Sequence, residues 1–230
     1  MSRQTTFEKD FGSVKISFPK LDYFWHKEQK SWMIKGELDI CDVKGEYWNT
    51  FDIAILIPES YPYCVPLVIE MSQIIPREED WHVSKEGVCC VDFDNKLITM
   101  SRVGINIEKF ISDIVYPFFA NQLFKLESQK YAGEEYGHHV DGLIQYYIED
   151  LKFPSAQSAL AVLKNILDQA DLTRNRFCPC GSGIKIKRCH RIAIETLKSL
   201  GREKNTNDCK KLEKYLLELS QSEPKSNFIK

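Results

Sequence analysis

The sequence predicts an α+β fold: an antiparallel β-meander in its first half, helices flanking that sheet, and a small cysteine-rich knot near the C terminus. Three observations carry the prediction. Short β-rich runs alternate with polar turns between Val14 and Met71, and apolar residues recur at helical spacing from Ile107 onward. Three of the eight cysteines also crowd beside a histidine between Phe177 and His190.

The meander is read as strands over Val14 to Phe18, Trp32 to Ile40, Thr50 to Ile57 and Leu67 to Glu70. Pro58, Pro62 and Pro66 separate the last two, because proline donates nothing to a sheet ladder and pushes the preceding residue out of the helical region. A rigid extended crossing is expected there. After an irregular stretch from Pro76 to Asn95, residues Ile107, Phe110, Ile111, Ile114 and Val115 begin a buried helix. Phe118, Phe119 and Leu123 carry its pattern past Pro117, near which the helix is interrupted or ends. A second helix is predicted from about Val140 to Leu151, with Leu143, Tyr146, Tyr147 and Leu151 on one face. Pro154 separates it from a third, Ala156 to Leu167. Composition shifts near Gln169, which sets the expected domains: a main domain over 1–169, the knot and an amphipathic stretch (Lys210 to Leu219) over 170–219, and a poorly ordered tail over 220–230.

With 230 residues, 43 % of them hydrophobic, the chain has room for one full domain and an appendage. Thirty-one basic and 33 acidic residues leave a formal charge of −2, so no whole-chain field attracts nucleic acid or anionic lipid. No apolar run approaches the roughly 20 residues of a membrane span, and the polar N terminus lacks the apolar core of a signal peptide. A cytoplasmic location is expected. The uneven cysteine spacing, with Cys89 and Cys90 adjacent, fits reduced thiols used for chemistry and metal rather than a disulfide scaffold.

Cys178, Cys180, Cys189 and His190 form a ligand set whose thiolates and imidazole suit tetrahedral Zn2+. Gly181 and Gly183 allow positive φ around an ion, and Pro179 stiffens the first pair. Four protein ligands leave no open coordination position, so the zinc is expected to be structural. The spacing resembles the SEC-C motif, with histidine as the last ligand. That resemblance implies a protein-docking module, and Lys185, Lys187, Arg188 and Arg191 supply basic charge around it.

Tyr61-Pro62-Tyr63-Cys64-Val65-Pro66 resembles the Tyr-Pro-Phe-x-x-Pro segment of the ubiquitin-conjugating enzyme family. Gly87-Val88-Cys89-Cys90-Val91-Asp92 resembles its Gly-x-Ile-Cys-Leu active-site segment. The resemblance spans Val14 to Leu151 and implies a UBC-like fold in which Cys90 is the nucleophile and Cys89 takes a buried aliphatic position. A thiol suits transthiolation because it is both a nucleophile and a good leaving group.

The family stabilises the developing oxyanion with the asparagine of a His-Pro-Asn triplet. Here Asp80-Trp81-His82 stands in that place, so an ungapped count puts His82, eight residues before Cys90, at the asparagine's position. A catalytic His82, donating to the oxyanion or deprotonating the nucleophile, is the favoured reading. With a gap, His82 takes the triplet histidine's structural role and Ser84 substitutes for the asparagine. Asp92 and Asp94 are candidates to orient an incoming lysine, although acidic loop residues are more often simply solvated. His138 and His139 read as helix-start or surface residues, and Cys41, Cys64 and Cys209 as packing residues.

The expected activity is therefore that of a ubiquitin-conjugating-like acyl transferase, which carries a thioester on Cys90 and passes it to an amine. The layout resembles the stand-alone conjugating proteins of bacterial antiphage operons of the CBASS type. That resemblance implies a protein partner whose C terminus is conjugated, a cGAS/DncV-like nucleotidyltransferase. The rival is a noncatalytic adaptor that binds one partner through the fold and another through the knot. A nucleic-acid-binding role has only the short basic patch behind it, without an aromatic stacking platform.

Overall fold

The computed structural model describes residues 5–132 and 139–222. The chain divides into two compact units, one on either side of the Glu135–Tyr136 bond.

The first unit opens with helix α1 (Thr6–Ser17), where a strand over Val14 to Phe18 was expected. Two local signals decide for helix. Thr5 and Glu8 form a reciprocal capping box, with the Glu8 amide donating to Thr5 Oγ1 at 3.2 Å and the Thr5 amide donating to Glu8 Oε2 at 2.7 Å. Phe7, Phe11 and Val14 then fall on one buried stripe. The strand role passes to β1 (Leu21–His26), followed by β2 (Ser31–Cys41), β3 (Tyr47–Pro58) and β4 (Leu67–Glu70). A short β5 (Val88–Cys89) completes an antiparallel five-stranded sheet in the order β1-β2-β3-β4-β5.

Strand alternation builds the core. Ile34 pairs with Ile55 across β2 and β3, and Ile34, Leu38 and Ile40 lie buried with Phe51, Ile53, Ile55 and Ile57. The covering helix begins at α3 (Ile107–Phe110), widens through a π-helical turn (Ile111–Val115) and continues as α4 (Tyr116–Ser128). Pro117 sits in the first turn of α4, so the interruption lies just before it and the helix does not end there. Phe119 of α4 meets Phe51 of β3 at a ring separation of 4.6 Å. Between β5 and α3 the structure inserts α2 (Asp94–Val103), where only irregular chain was expected up to Asn95. The proline-rich crossing joins β3 to β4 as predicted, and its Tyr61–Pro62 bond is cis.

The second unit contains α5 (His139–Gln145) with a following π-helical turn (Tyr146–Asp150), α6 (Ala156–Leu167), α7 (Arg191–Leu200) and α8 (Arg202–Ser222). The boundary expected near Gln169 falls inside this unit. The reason is packing: α6 buries Ala159, Val162 and Leu163 in a unit that also buries Ile194, Leu197 and Leu212, and Lys164 pairs with Glu213 of α8 at 2.8 Å. The Tyr147 hydroxyl donates to buried Asp208 at 3.2 Å. His138 lies outside the described residues, as do the side chain of His139 and the tail over 223–230. Among the described residues no helix is long and apolar enough to cross a membrane.

Candidate functional site

Two sites emerge, one in each unit. In the first, β5 ends at Cys89 and Cys90 follows it directly, one thiol buried and the next exposed. Cys89 is 6 % exposed and its thiol is pushed up to about 12, first by burial. Cys90 is the one exposed cysteine in the chain. The loop around it still removes part of its hydration, and with the charge of Asp94 this raises its thiol above the ordinary value.

The chain reaches Cys90 through Gly87, whose φ of 86° lies in the left-handed region. A Cβ there would stand 2.5 Å from the Glu70 carbonyl oxygen, so only glycine fits. Beneath it, fully buried Glu70 pairs with Arg77 at 2.5 Å, and Arg77 also donates to the Glu70 carbonyl at 2.9 Å. The cost of taking the Glu70 charge out of water offsets much of this attraction, so the pair adds little net stability.

His82 lies beside the nucleophile candidate: its carbonyl accepts the Cys90 amide at 2.8 Å. His82 itself adopts a left-handed conformation (φ 53°) at the end of a 3-10 turn, Glu79–Trp81. The Glu79 carbonyl of that turn accepts the His82 amide at 2.9 Å, and residues of α4 and the segment after it supply donors to the Asp80 and Trp81 carbonyls. Gln122 donates to the Trp81 carbonyl at 3.2 Å, and the Tyr131 hydroxyl donates to the Asp80 carbonyl at 3.2 Å. Lys125 also donates to the Asp80 carbonyl, with its ammonium 4.6 Å from the Trp81 ring centroid and 4.0 Å from that of Tyr131. The His82 and Tyr131 rings lie 6.0 Å apart.

The other loop residues are engaged locally. The Ser84 hydroxyl donates to Glu86 at 3.0 Å and accepts the Glu86 and Val88 amides, each at 3.2 Å, so it serves its own turn. Asp92 accepts the Phe93 amide at 2.7 Å. Asp94 opens α2 and is the charge that reaches the Cys90 thiol. Sequence reasoning missed Gln122, Lys125 and Tyr131, which lie some 40 or 50 positions from the turn they hold. No periodic pattern signals such a contact. Of the remaining cysteines, Cys209 is buried, and Cys41 and Cys64 are half-buried.

In the second unit, Cys178, Cys180, Cys189 and His190 converge, and their ligand atoms all lie within 4.8 Å of one another. Cys178 and Cys180 sit on a tight turn closed by the Cys178 amide donating to the Ile184 carbonyl at 2.8 Å, with Gly181 and Gly183 at left-handed φ. Cys189 ends a 3-10 turn (Ile186–Arg188), and His190 caps α7. Sγ of Cys180 is 3.5 Å from that of Cys189, and His190 Nδ1 is 3.5 Å from Cys178 Sγ and 3.1 Å from Cys189 Sγ. Tetrahedral bonds of about 2.0–2.3 Å imply ligand separations of roughly 3.5–3.8 Å, so the cluster is close to the size a metal ion requires.

The surroundings fit that use. His190 Nε2 lies 3.0 Å from the Lys152 carbonyl, which can only accept, so the proton belongs on Nε2 and Nδ1 is left to ligate. Phe153 stacks on the imidazole at 4.4 Å, and Ser158 donates to the Cys180 carbonyl at 3.1 Å. Burial raises the Cys178 thiol. Burial acts the same way on Cys180 but is outweighed by hydrogen bonds from Ser182, Cys178 and Cys189, which hold that thiol low and favour its thiolate. This cluster could hold a metal ion.

No protein-family model matches the chain, and no solved structure matches it.

Proposed function

We propose that the protein is a ubiquitin-conjugating-like acyl transferase with a UBC-like first unit, Cys90 as nucleophile and a structural Zn2+ in the second. The observation that carries this reading is the division of labour at β5. The exposed Cys90 thiol stands next to a buried Cys89, on a loop fixed by Gly87, Glu70 and Arg77 and tied at its amide to His82. The element order supports it: a helix, a meander, a proline-rich crossing, a cysteine loop and then helices.

In this mechanism the Cys90 thiolate attacks the activated carboxyl carbon at a partner's C terminus. A new thioester bond forms as the former carrier group leaves with the electron pair. An amine then attacks the same carbon, a C–N bond forms, and Cys90 departs as thiolate. His82 is the candidate donor to the oxygen that becomes negative at each step, held in place by Gln122, Lys125 and Tyr131 through the preceding turn. Cys178, Cys180, Cys189 and His190 would hold the zinc, which supplies folding energy rather than chemistry. A cGAS/DncV-like nucleotidyltransferase is the proposed partner.

Intact-mass spectrometry of wild-type and Cys90→Ala protein, each purified with its genomic neighbours, tests the reading. A reductant-sensitive adduct on wild type alone is expected; no adduct on either protein contradicts it.

Two observations favour a noncatalytic adaptor as the second reading. The Cys90 thiol is raised, which lowers its thiolate fraction at neutral pH. Phe177, Ile184 and Ile192 are also exposed beside Lys185, Lys187 and Arg188, a mixed apolar and basic surface suited to docking.

A further inference from the structure

The first unit carries a concavity that the Cys90 chemistry does not use. It has a volume of about 330 Å3, and its lining includes Phe7, Trp25, Trp32, Glu59 and Tyr61 beside Thr5 and Thr6. That volume is at the small end of the roughly 300–1,000 Å3 range of ligand sites, so it suits a small head group.

Its walls are aromatic. Phe7 stacks on Trp32 at 5.1 Å, Trp25 meets Trp32 at 4.9 Å and 68°, and Tyr61 meets Phe7 at 5.6 Å and 88°. Trp25 is 37 % exposed although large and apolar. Aromatic faces carry negative potential and attract cations.

The charges point the same way. Among the described residues no lysine or arginine lines the pocket. Asp10 is occupied by the Tyr61 hydroxyl, which donates to it at 2.7 Å, and Glu8 by the α1 cap, where it offsets the helix dipole. Glu59 alone is uncommitted, with no side-chain hydrogen bond or ion pair among the described residues. An aromatic box with a free carboxylate disfavours an anion and leaves a neutral apolar guest beside an uncompensated charge.

We propose that this pocket is a binding site for an alkylammonium group, held by the aromatic walls and by Glu59. The proposal does not depend on the conjugating activity and can be tested in Cys90→Ala protein.

The test is an NMR titration of the Trp25 and Trp32 indole N–H signals with choline chloride and, separately, with its neutral carbon isostere 3,3-dimethyl-1-butanol, at constant ionic strength. Choline should give a saturable shift with affinity about tenfold tighter than the isostere. Glu59→Gln should weaken choline several-fold and leave the isostere unchanged, and Trp25→Leu should abolish the choline shift read at Trp32. Thermal melts check that each variant is folded, and the exposed Glu59→Gln change decides the matter if Trp25→Leu is not. Equal binding of choline and isostere, no shift with either, or choline affinity indifferent to Glu59→Gln would overturn the proposal.

Discussion

The Cys90 loop and the Cys178–His190 knot use the same side chain in opposite ways. In the knot three thiols and an imidazole face inward on one another, within a span of 13 residues, and the geometry closes on itself. At Cys90 a single thiol faces outward, and its support comes from distant parts of the chain: Glu70 and Arg77 beneath the loop, and α4 with Tyr131 behind the His82 turn. The contrast shows what each kind of site needs. Inward-facing ligands need only tight turns, and a metal ion can supply the folding energy. An outward-facing thiol needs a rigid scaffold that leaves it open.

The largest effect should come from breaking the knot. Structural zinc sites contribute about 10 kcal/mol or more of apparent binding energy at neutral pH. Cys180→Ser should therefore abolish bound metal by elemental analysis and unfold much of the second unit, as followed by circular dichroism. Because the ligands must be deprotonated to bind, wild-type protein should also release its metal as pH falls below neutrality.

Next comes the scaffold under Cys90. Glu70→Gln, which leaves the half-buried Arg77 charge without its partner, should lower stability by about 1–3 kcal/mol in denaturant melts while leaving metal content intact. Loss of the Cys90 scaffold on metal removal would mean that the two sites do not differ in what holds them. A smaller loss, about 1 kcal/mol, is expected of Tyr131→Phe, which removes one hydrogen bond to the Asp80 carbonyl. Its specific sign should be faster hydrogen exchange at the Cys90 amide, which is otherwise protected by the His82 carbonyl.

The smallest effect is electrostatic. The negative charge of Asp94 disfavours the Cys90 thiolate, so Asp94→Asn should move the pH midpoint of Cys90 alkylation by iodoacetamide downward. A midpoint moving upward would mean that Asp94 acts through something other than its charge.

Much of this was legible in the residues. The strand over Leu67–Glu70 and the helix over Ala156–Leu167 match the sequence reading to the residue, because Pro66 sets the start of the first and Pro154 precedes the second. The cysteine–histidine cluster was legible because its four residues are near neighbours in sequence. Helix α1 is hard to see in the sequence because Val14 to Phe18 alternates well enough to pass for a strand, while the Thr5–Glu8 capping box that decides for helix lies outside that window. The boundary near Gln169 followed composition, whereas the units follow burial, which binds α6 to the helices beyond the knot. The support of His82 was not legible at all, since it depends on which residues the fold brings beside a turn.

Trapping the acyl group tests the central claim most directly. An oxygen ester resists the reductants and amines that discharge a thioester, so Cys90→Ser protein purified with its genomic neighbours should accumulate an adduct that survives thiol reductant, while the wild-type adduct is lost. The adduct should map to position 90 by peptide mass spectrometry. A wild-type adduct that survives reductant, or adducts that map elsewhere in both proteins, would contradict a thioester on Cys90.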